Sequence, residues 1–378
     1  MKKNILICTY YYEPEITPRA FRAKEIAEAL SENNYNITVI TKQLHNNDNK
    51  VYYVNENLLI KKIKPGFFLN SFKWQKIRLG LLKYFIHFIY LGGINFEYSI
   101  MLFFNLIKNK KKYDVVISIG LPFSVHFGVA LYKLFCDRNI IAIADYGDPF
   151  SKSSKYKYIL HYYIIEKLVL KLFDFLVVPT EKALKAYKGL FNRNKIFIIP
   201  QSISSKKIKI CNYVPNKSLK FAYAGLFYID IRNPQKFIDY LLNKSDKYDF
   251  KFIIYTDINH NETYKCLEKY LSNHSDKIII EKPLERYNCI EVLSSMDFII
   301  NFENTTQVQV PSKLIDYYFT KRPILNINPN YLDEMKIERF LHRNFVDEDY
   351  LKLNVHEYLS ENVVQKYIKL FSMSITDD

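Results

Sequence analysis

Metal-ligand spacing is missing from this sequence, and so is any disulfide framework. The five cysteines, Cys8, Cys136, Cys211, Cys266 and Cys289, are far apart, odd in number and mostly set in apolar runs. That usage fits a reducing cytosol. No G-x-G-x-x-G follows the first apolar run, which leaves a nicotinamide-type site unsupported, and there is no P-loop lysine motif. The start, MKKNILICTYYYEPE, is not a signal peptide, because its apolar run is only ILIC and no small-residue cleavage site follows. No clean apolar stretch reaches the roughly 18 residues of a spanning helix. No nucleic-acid-binding module is legible either, so nucleic acid is not an expected partner.

What is present is a chain of 378 residues, 49% hydrophobic and 25% charged, long enough to bury two medium cores. Lysine and arginine number 54 against 39 acids, a formal charge of +15. Two readings of that excess stay open. It suits phosphorylated small molecules or anionic lipid, and it also suits the lysine-, asparagine- and isoleucine-rich usage of an AT-rich genome. Residues 67–106 are aromatic, with Lys73, Lys76, Arg78 and Lys83 in the first half. They read either as an amphipathic helix lying on an anionic membrane surface or as a pair of core helices with a solvated edge.

Short apolar runs alternate with helical patterns along the whole chain. NILIC, NITVIT, DVVISI, IIAIAD, DFLVVP and KIFIIP come first, and LKFAYAG, FKFIIYT, KIIIEK, DFIINF and PILNI follow. They are continuous rather than alternating, as expected of parallel strands covered on both faces. Between them lie helical stretches such as RAFRAKEIAEALSE and VHFGVALYKLFC. The expectation is α/β, with two Rossmann-like doubly wound domains facing a central cleft, at 1–200 and 201–378. The last helix, HEYLSENVVQKYIKLF, is a candidate to pack back on the first domain. Ligands of such sheets bind outside the carboxyl ends of the strands.

Five loops at those ends carry candidate chemistry. In QVQVPSKLIDYYFTKRPIL, Pro311, Ser312 and Lys313 open a helix and Asp316 lies one turn in. Free N–H groups there suit a phosphate, and the same residues also make an ordinary helix start. In YAGLFYIDIRNPQKF, Gly225 permits close backbone approach and Arg232 precedes a helix, either meeting an anion or sitting in solvent. In IADYGDPFSKSS, Asp145 and Asp148 flank a glycine, as catalytic carboxylates or as turn caps. Arg19 and Arg22 start the helix after the first strand. His126 starts another, with a catalytic or a structural place.

Five stretches in order resemble the GT-B glycosyltransferases, in particular the large retaining family that builds bacterial surface polysaccharides such as lipopolysaccharide and capsule. They are ILICTYYYEPE with PRAFRAKEIAEAL, DVVISIGLPFSVH with IIAIADYGDPF, FAYAGLFYIDIRNPQKFIDYL, LERYNCIEVLSSMDFIINF and VPSKLIDYYFTKRPIL. The resemblance implies a nucleotide-sugar donor as co-substrate, a glycan or lipid-linked glycan acceptor, no cofactor and no metal. It implies that Gly225, Arg232, Ser312, Lys313, Asp316 and Glu303 bind the donor, that Arg19 and Arg22 meet the acceptor, and that Asp148, with Asp145 and His126, lies near the reacting centre. With the cysteine usage, the expected location is cytoplasmic, peripheral on the inner membrane face where 67–106 takes its surface-helix reading. The chain departs from the family in four places. EPEITP replaces a glycine-rich turn, and Val308 stands where the first of two spaced carboxylates belongs. Tyr317, Tyr318 and Phe319 replace small residues, and Lys321 and Arg322 replace a glycine before the proline. Alternatives are a catalytically degenerate GT-B scaffold subunit and a nucleotide-sugar 2-epimerase.

Overall fold

A computed structural model describes residues 2–45, 50–65, 96–109, 111–152, 160–271, 276–303 and 313–373. The chain forms two compact units, one of Met1–Ile203 with His356–Asp378 and the other of Ser204–Val355. The first unit therefore takes back the end of the chain, which the boundary at 200 had assigned to the second.

The first unit is built on strands β1 (Asn4–Thr9), β2 (Asn36–Lys42), β3 (Val51–Asn55), β4 (Leu58–Ile63), β5 (Val115–Ile119), β6 (Ile141–Asp145), β7 (Phe175–Val178) and β8 (Ile196–Ile198). Their order is β3-β4-β2-β1-β5-β6-β7-β8. All pairs are parallel except the β3–β4 hairpin at one edge. That hairpin was not foreseen: β3 holds the apolar VYYV, but it is mostly exposed and pairs antiparallel at the sheet edge. Elsewhere the apolar runs became strands because both faces are covered. Leu6 and Cys8 join one core with Tyr98, Leu102 and Val129, while Ile5 and Ile7 join another with Ala23, Leu30 and Tyr367.

Helix α1 (Pro18–Glu32) starts at Thr17, whose hydroxyl accepts from the Ala20 N–H, with Pro18 in the first turn where no N–H is needed. Helix α2 (Phe96–Lys108) packs on α3 (Ser124–Phe135). Tyr98, Leu102 and Leu106 are buried and Phe104 and Ile107 exposed. The described part of segment 67–106 is thus a core helix with an apolar edge, and residues 66–95 lie outside the described residues. Among the described residues no helix is long and apolar enough to cross a membrane. The closing helix, Ser360–Ser372, buries Val363, Val364, Tyr367, Leu370 and Phe371 against the sheet, worth about 2 kcal/mol for each large side chain.

The second unit has five parallel strands, β9 (Leu219–Ala224), β10 (Phe250–Tyr255), β11 (Ile278–Glu281), β12 (Phe298–Phe302) and β13 (Ile324–Ile327), in the order β11-β10-β9-β12-β13. One face is aromatic, with Phe221 stacked between Phe252 at 5.1 Å and Phe298 at 4.5 Å. From β9 the chain winds outward through β10 and β11, then returns to β12 on the other side. The topological switch lies between β9 and β12, and the loops leaving their carboxyl ends carry Gly225 and Glu303. The matching switch of the first unit lies between β1 and β5.

Candidate functional site

At the switch of the second unit, β9 ends in a tyrosine and a glycine that depend on each other. Tyr223 is fully buried. Gly225 has φ +144°, and a Cβ there would lie 2.9 Å from the Tyr223 hydroxyl. The loop beyond folds on itself, with Arg232 N–H donating to the Tyr228 carbonyl at 2.9 Å and Tyr228 N–H donating back at 3.3 Å. That fold turns the Arg232 side chain inward, where Nη1 donates to the Tyr223 hydroxyl at 3.2 Å and to the Leu226 carbonyl at 3.4 Å.

Helix α9 (Lys313–Thr320) brings the second cation. The Lys313 stem is half-buried, but its Nζ is enclosed and has no hydrogen-bond partner among the described residues. It sits 4.3 Å from the Tyr223 ring centroid and 5.9 Å from that of Tyr317. Burial, and then the charge of Arg232, hold this amine well below the usual lysine range. Ser312 and Val308 lie outside the described residues. The bulk of Tyr317 has a local reason. Its ring fills the space beside Ala222 and Ile324, and its hydroxyl meets the Ala224 N–H and carbonyl, each at 3.4 Å.

Asp316 reaches the site as half of an ion pair. Its Oδ1 accepts from Arg286 Nε at 2.9 Å and Nη2 at 2.7 Å. Arg286, in the first turn of α8 (Arg286–Ser294), is a cation the sequence reading passed over. Glu303 is exposed, and its N–H donates to the Ile327 carbonyl at 2.9 Å.

The first unit corrects three expectations. Arg22 and Asp145 do not face a ligand. Arg22 Nε donates to both Asp145 oxygens at 2.8 Å, Nη1 to the Pro200 carbonyl at 2.9 Å, and Nη2 to the Ile199 carbonyl at 2.9 Å and the Tyr367 hydroxyl at 3.0 Å. Tyr367 also donates to Asp145. Burial alone would lower the Arg22 pKa, but Asp145 beside it raises it overall. The whole cluster is inside the core, so the acceptor role for Arg22 and the catalytic role for Asp145 give way to a structural one. His126 is likewise fully buried, with Nδ1 2.6 Å from Ser118 Oγ and the ring 4.3 Å from that of Tyr146. A Cβ on Gly120 would come within 2.3 Å of its Nε2. Burial, helped by Arg19, pushes its pKa down to about 3, so it is a neutral core histidine rather than a proton donor.

Asp148 and Arg19 remain near the surface. They pair at 3.6 Å, and the Asp148 side chain is 52% exposed. Arg19 lies against Gly147, where a Cβ would meet its guanidinium nitrogens at 3.0 and 3.1 Å. The loop that presents Asp148 is fixed from beneath by Glu166, which accepts from the Phe150 N–H at 2.7 Å and the Ser151 N–H at 2.9 Å. Glu166 was missed, although a lone acid inside the apolar run YYIIEKLVL is the sign of a buried charge that must find partners. Among the described residues no group of three or more His, Cys, Asp or Glu is gathered to hold a metal ion.

No family model matches the chain, and no curated protein matches it. Solved structures do. A sucrose-phosphate synthase from Thermosynechococcus elongatus superposes with a TM-score of 0.62 at 13% identity, over 98% of this chain and 95% of that one. WaaG, a glycosyltransferase involved in lipopolysaccharide biosynthesis, gives 0.57 at 11%, over 97% and 96%. A putative UDP-N-acetylglucosamine 2-epimerase from Listeria monocytogenes gives 0.55 at 11%, over 99% and 89%. The chain has the GT-B fold, an α/β architecture of two Rossmann-like units shared with glycosyltransferases. At these identities the likeness is one of fold.

Proposed function

We propose that the protein is a glycosyltransferase that moves a sugar from a nucleoside-diphosphate donor to a hydroxyl of a glycan or lipid-linked glycan, with retention, in bacterial surface polysaccharide synthesis. One observation carries the reading: an enclosed lysine amine without a hydrogen-bond partner among the described residues, beside an arginine, at the switch point of a parallel sheet. Native folds satisfy nearly all buried polar groups. A buried amine among the exceptions, at the sheet end where α/β folds bind ligands, suits an anion. A diphosphate fits, because its negative charge would offset the cost of a buried cation at Lys313 while Arg232 takes a second phosphate oxygen.

The chemistry follows from that placement. As the bond from sugar to diphosphate breaks, charge grows on the leaving phosphate. Cations already in place stabilise it without reorganisation, and one such donor is worth about 100- to 1,000-fold in rate. The two cations supply that charge without a metal. Asp148 is the carboxylate left accessible to orient an acceptor hydroxyl, with Arg19 as its partner. A membrane-bound acceptor would be met from an anionic bilayer surface, to which the exposed Phe104, in the described part of 67–106, would contribute with Ile107 and Lys108 just beyond it.

The 2-epimerase fold relative favours a second reading of the same anion site. A thermal-shift screen against UDP, GDP, CMP and their common sugar conjugates, followed by product analysis, separates the two. Sugar transfer to an acceptor supports the transferase, and conversion of the donor to its C2 epimer supports the rival. Absence of any stabilisation by a nucleotide would remove both.

A further inference from the structure

The two cations of the second unit do not reach the site independently, because both rest on one side chain. Tyr223 lies on the central strand β9, with its register partner Ile254 on β10. Its ring stacks on Phe227 at 4.6 Å and meets the edge of Phe302 at 5.1 Å, so the core holds it in place. Its hydroxyl donates to the Leu226 carbonyl at 2.9 Å, which leaves its lone pairs to accept from Arg232 Nη1 at 3.2 Å. The face of the same ring lies beneath Lys313 Nζ at 4.3 Å. Gly225 completes the arrangement, since any side chain there would press on the hydroxyl from 2.9 Å. Two like charges held close together repel each other. Here the restraint is a hydrogen bond for one and a π face for the other.

We propose that Tyr223 is the positioning residue of the anion site, its hydroxyl fixing the Arg232 guanidinium and its ring seating the Lys313 ammonium, so that a diphosphate meets both cations as one preformed unit. This rests on the reading of the site as one for nucleoside diphosphates. It adds that affinity for the second phosphate passes through a phenol that touches no ligand. The hydroxyl and the ring are separable, because phenylalanine keeps the seat for Lys313 and loses the grip on Arg232.

The test is a double-mutant cycle between Tyr223→Phe and Arg232→Met. It is read by calorimetric titration with UDP, ADP and GDP, and with the corresponding monophosphates. Tyr223→Phe is expected to weaken the diphosphate that the wild type binds by on the order of 10-fold, the size of a lost bond to a charged group, with a smaller loss for its monophosphate. In the Arg232→Met background the same change is expected to cost less than about 2-fold, because the residue it acts through is gone. Gly225→Ala crowds the hydroxyl by another route and is expected to show the same cancellation. Wild-type affinity in Tyr223→Phe, or a loss that persists undiminished with Arg232→Met, overturns the proposal. If none of the three diphosphates binds the wild-type chain, the function reading itself fails and takes this inference with it.

Discussion

Two buried cations in this protein are treated in opposite ways. Arg22 of the first unit is enclosed with every partner it needs: two carboxylate oxygens, two backbone carbonyls and a phenol. Lys313 of the second unit is enclosed with none among the described residues, and the nearest charge it feels is another cation. Both lie near the carboxyl ends of parallel strands, and both were read from sequence as ligand-facing. The difference separates structure from function. A buried charge whose partners are all protein groups is holding elements together, here α1, β6, the segment after β8 and the closing helix. A buried charge without partners among the described residues costs the fold stability, and the proposed diphosphate is what would offset that cost.

The sharpest way to break the comparison is to remove a partner from the satisfied cluster. Asp145→Ala leaves Arg22 charged and buried, which costs about 3 to 5 kcal/mol, and urea unfolding would show it. A loss under about 1 kcal/mol would mean that water reaches the cluster and that its structural role is overstated. The next largest effect falls on the other side. Arg232→Ala is expected to lower turnover with the true donor by roughly 100-fold or more. Its unfolding midpoint is expected to fall far less than that of Asp145→Ala, since the Arg232 side chain is only partly buried and its bonds to Tyr223 and Leu226 are long, at 3.2 and 3.4 Å. Near-normal turnover in the purified variant would remove Arg232 from the donor site. Asp148→Asn, which keeps shape and loses charge, is expected to cut turnover about 10- to 100-fold if the carboxylate orients the acceptor, with nucleotide affinity unchanged in the same preparation.

The fold was legible because its signal is redundant. Eleven apolar runs became eleven strands, since a parallel strand covered on both faces has no polar side to confuse the pattern. The hairpin β3–β4 escaped that pattern although VYYVNENLLI holds two apolar runs around a polar turn, because its outer strand is mostly exposed and antiparallel. The candidate site was legible only as residue types at strand ends. Gly225, Arg232 and Lys313 could be named from the loop chemistry of YAGLFYIDIR and PSKLID. Whether a named charge faces a ligand or a neighbour depends on partners far away in sequence. Arg22 finds Asp145 and Tyr367, and Asp316 finds Arg286. His126, in the first turn of a helix, kept both a catalytic and a structural reading from sequence. Its neighbours Ser118, Tyr146 and Gly120 show that the helix start is under the surface.

The smallest effect is the most diagnostic. Lys313→Met replaces the ammonium with an apolar end of similar length. It is expected to stabilise the apo protein by about 1 kcal/mol, since an uncompensated buried charge is exchanged for packing. The sign of its pH dependence follows from the lowered amine. In the unfolded chain this lysine titrates near its ordinary 10.5, and in the folded chain well below that. Between those two values the unfolded state binds more protons, so wild-type stability rises with pH across that window. Below the folded value the penalty is full and constant, and near pH 10.5 it has vanished. The stability gap between Lys313→Met and wild type, measured by chemical denaturation in steps from neutral to alkaline pH, should therefore close as pH rises. A saturating diphosphate should reverse the order at neutral pH, because the anion supplies the missing partner to the wild type and has nothing to pair with in the variant. A gap that stays flat with pH would mean the amine is solvated, and the contrast between the two cations would then be one of exposure rather than of purpose.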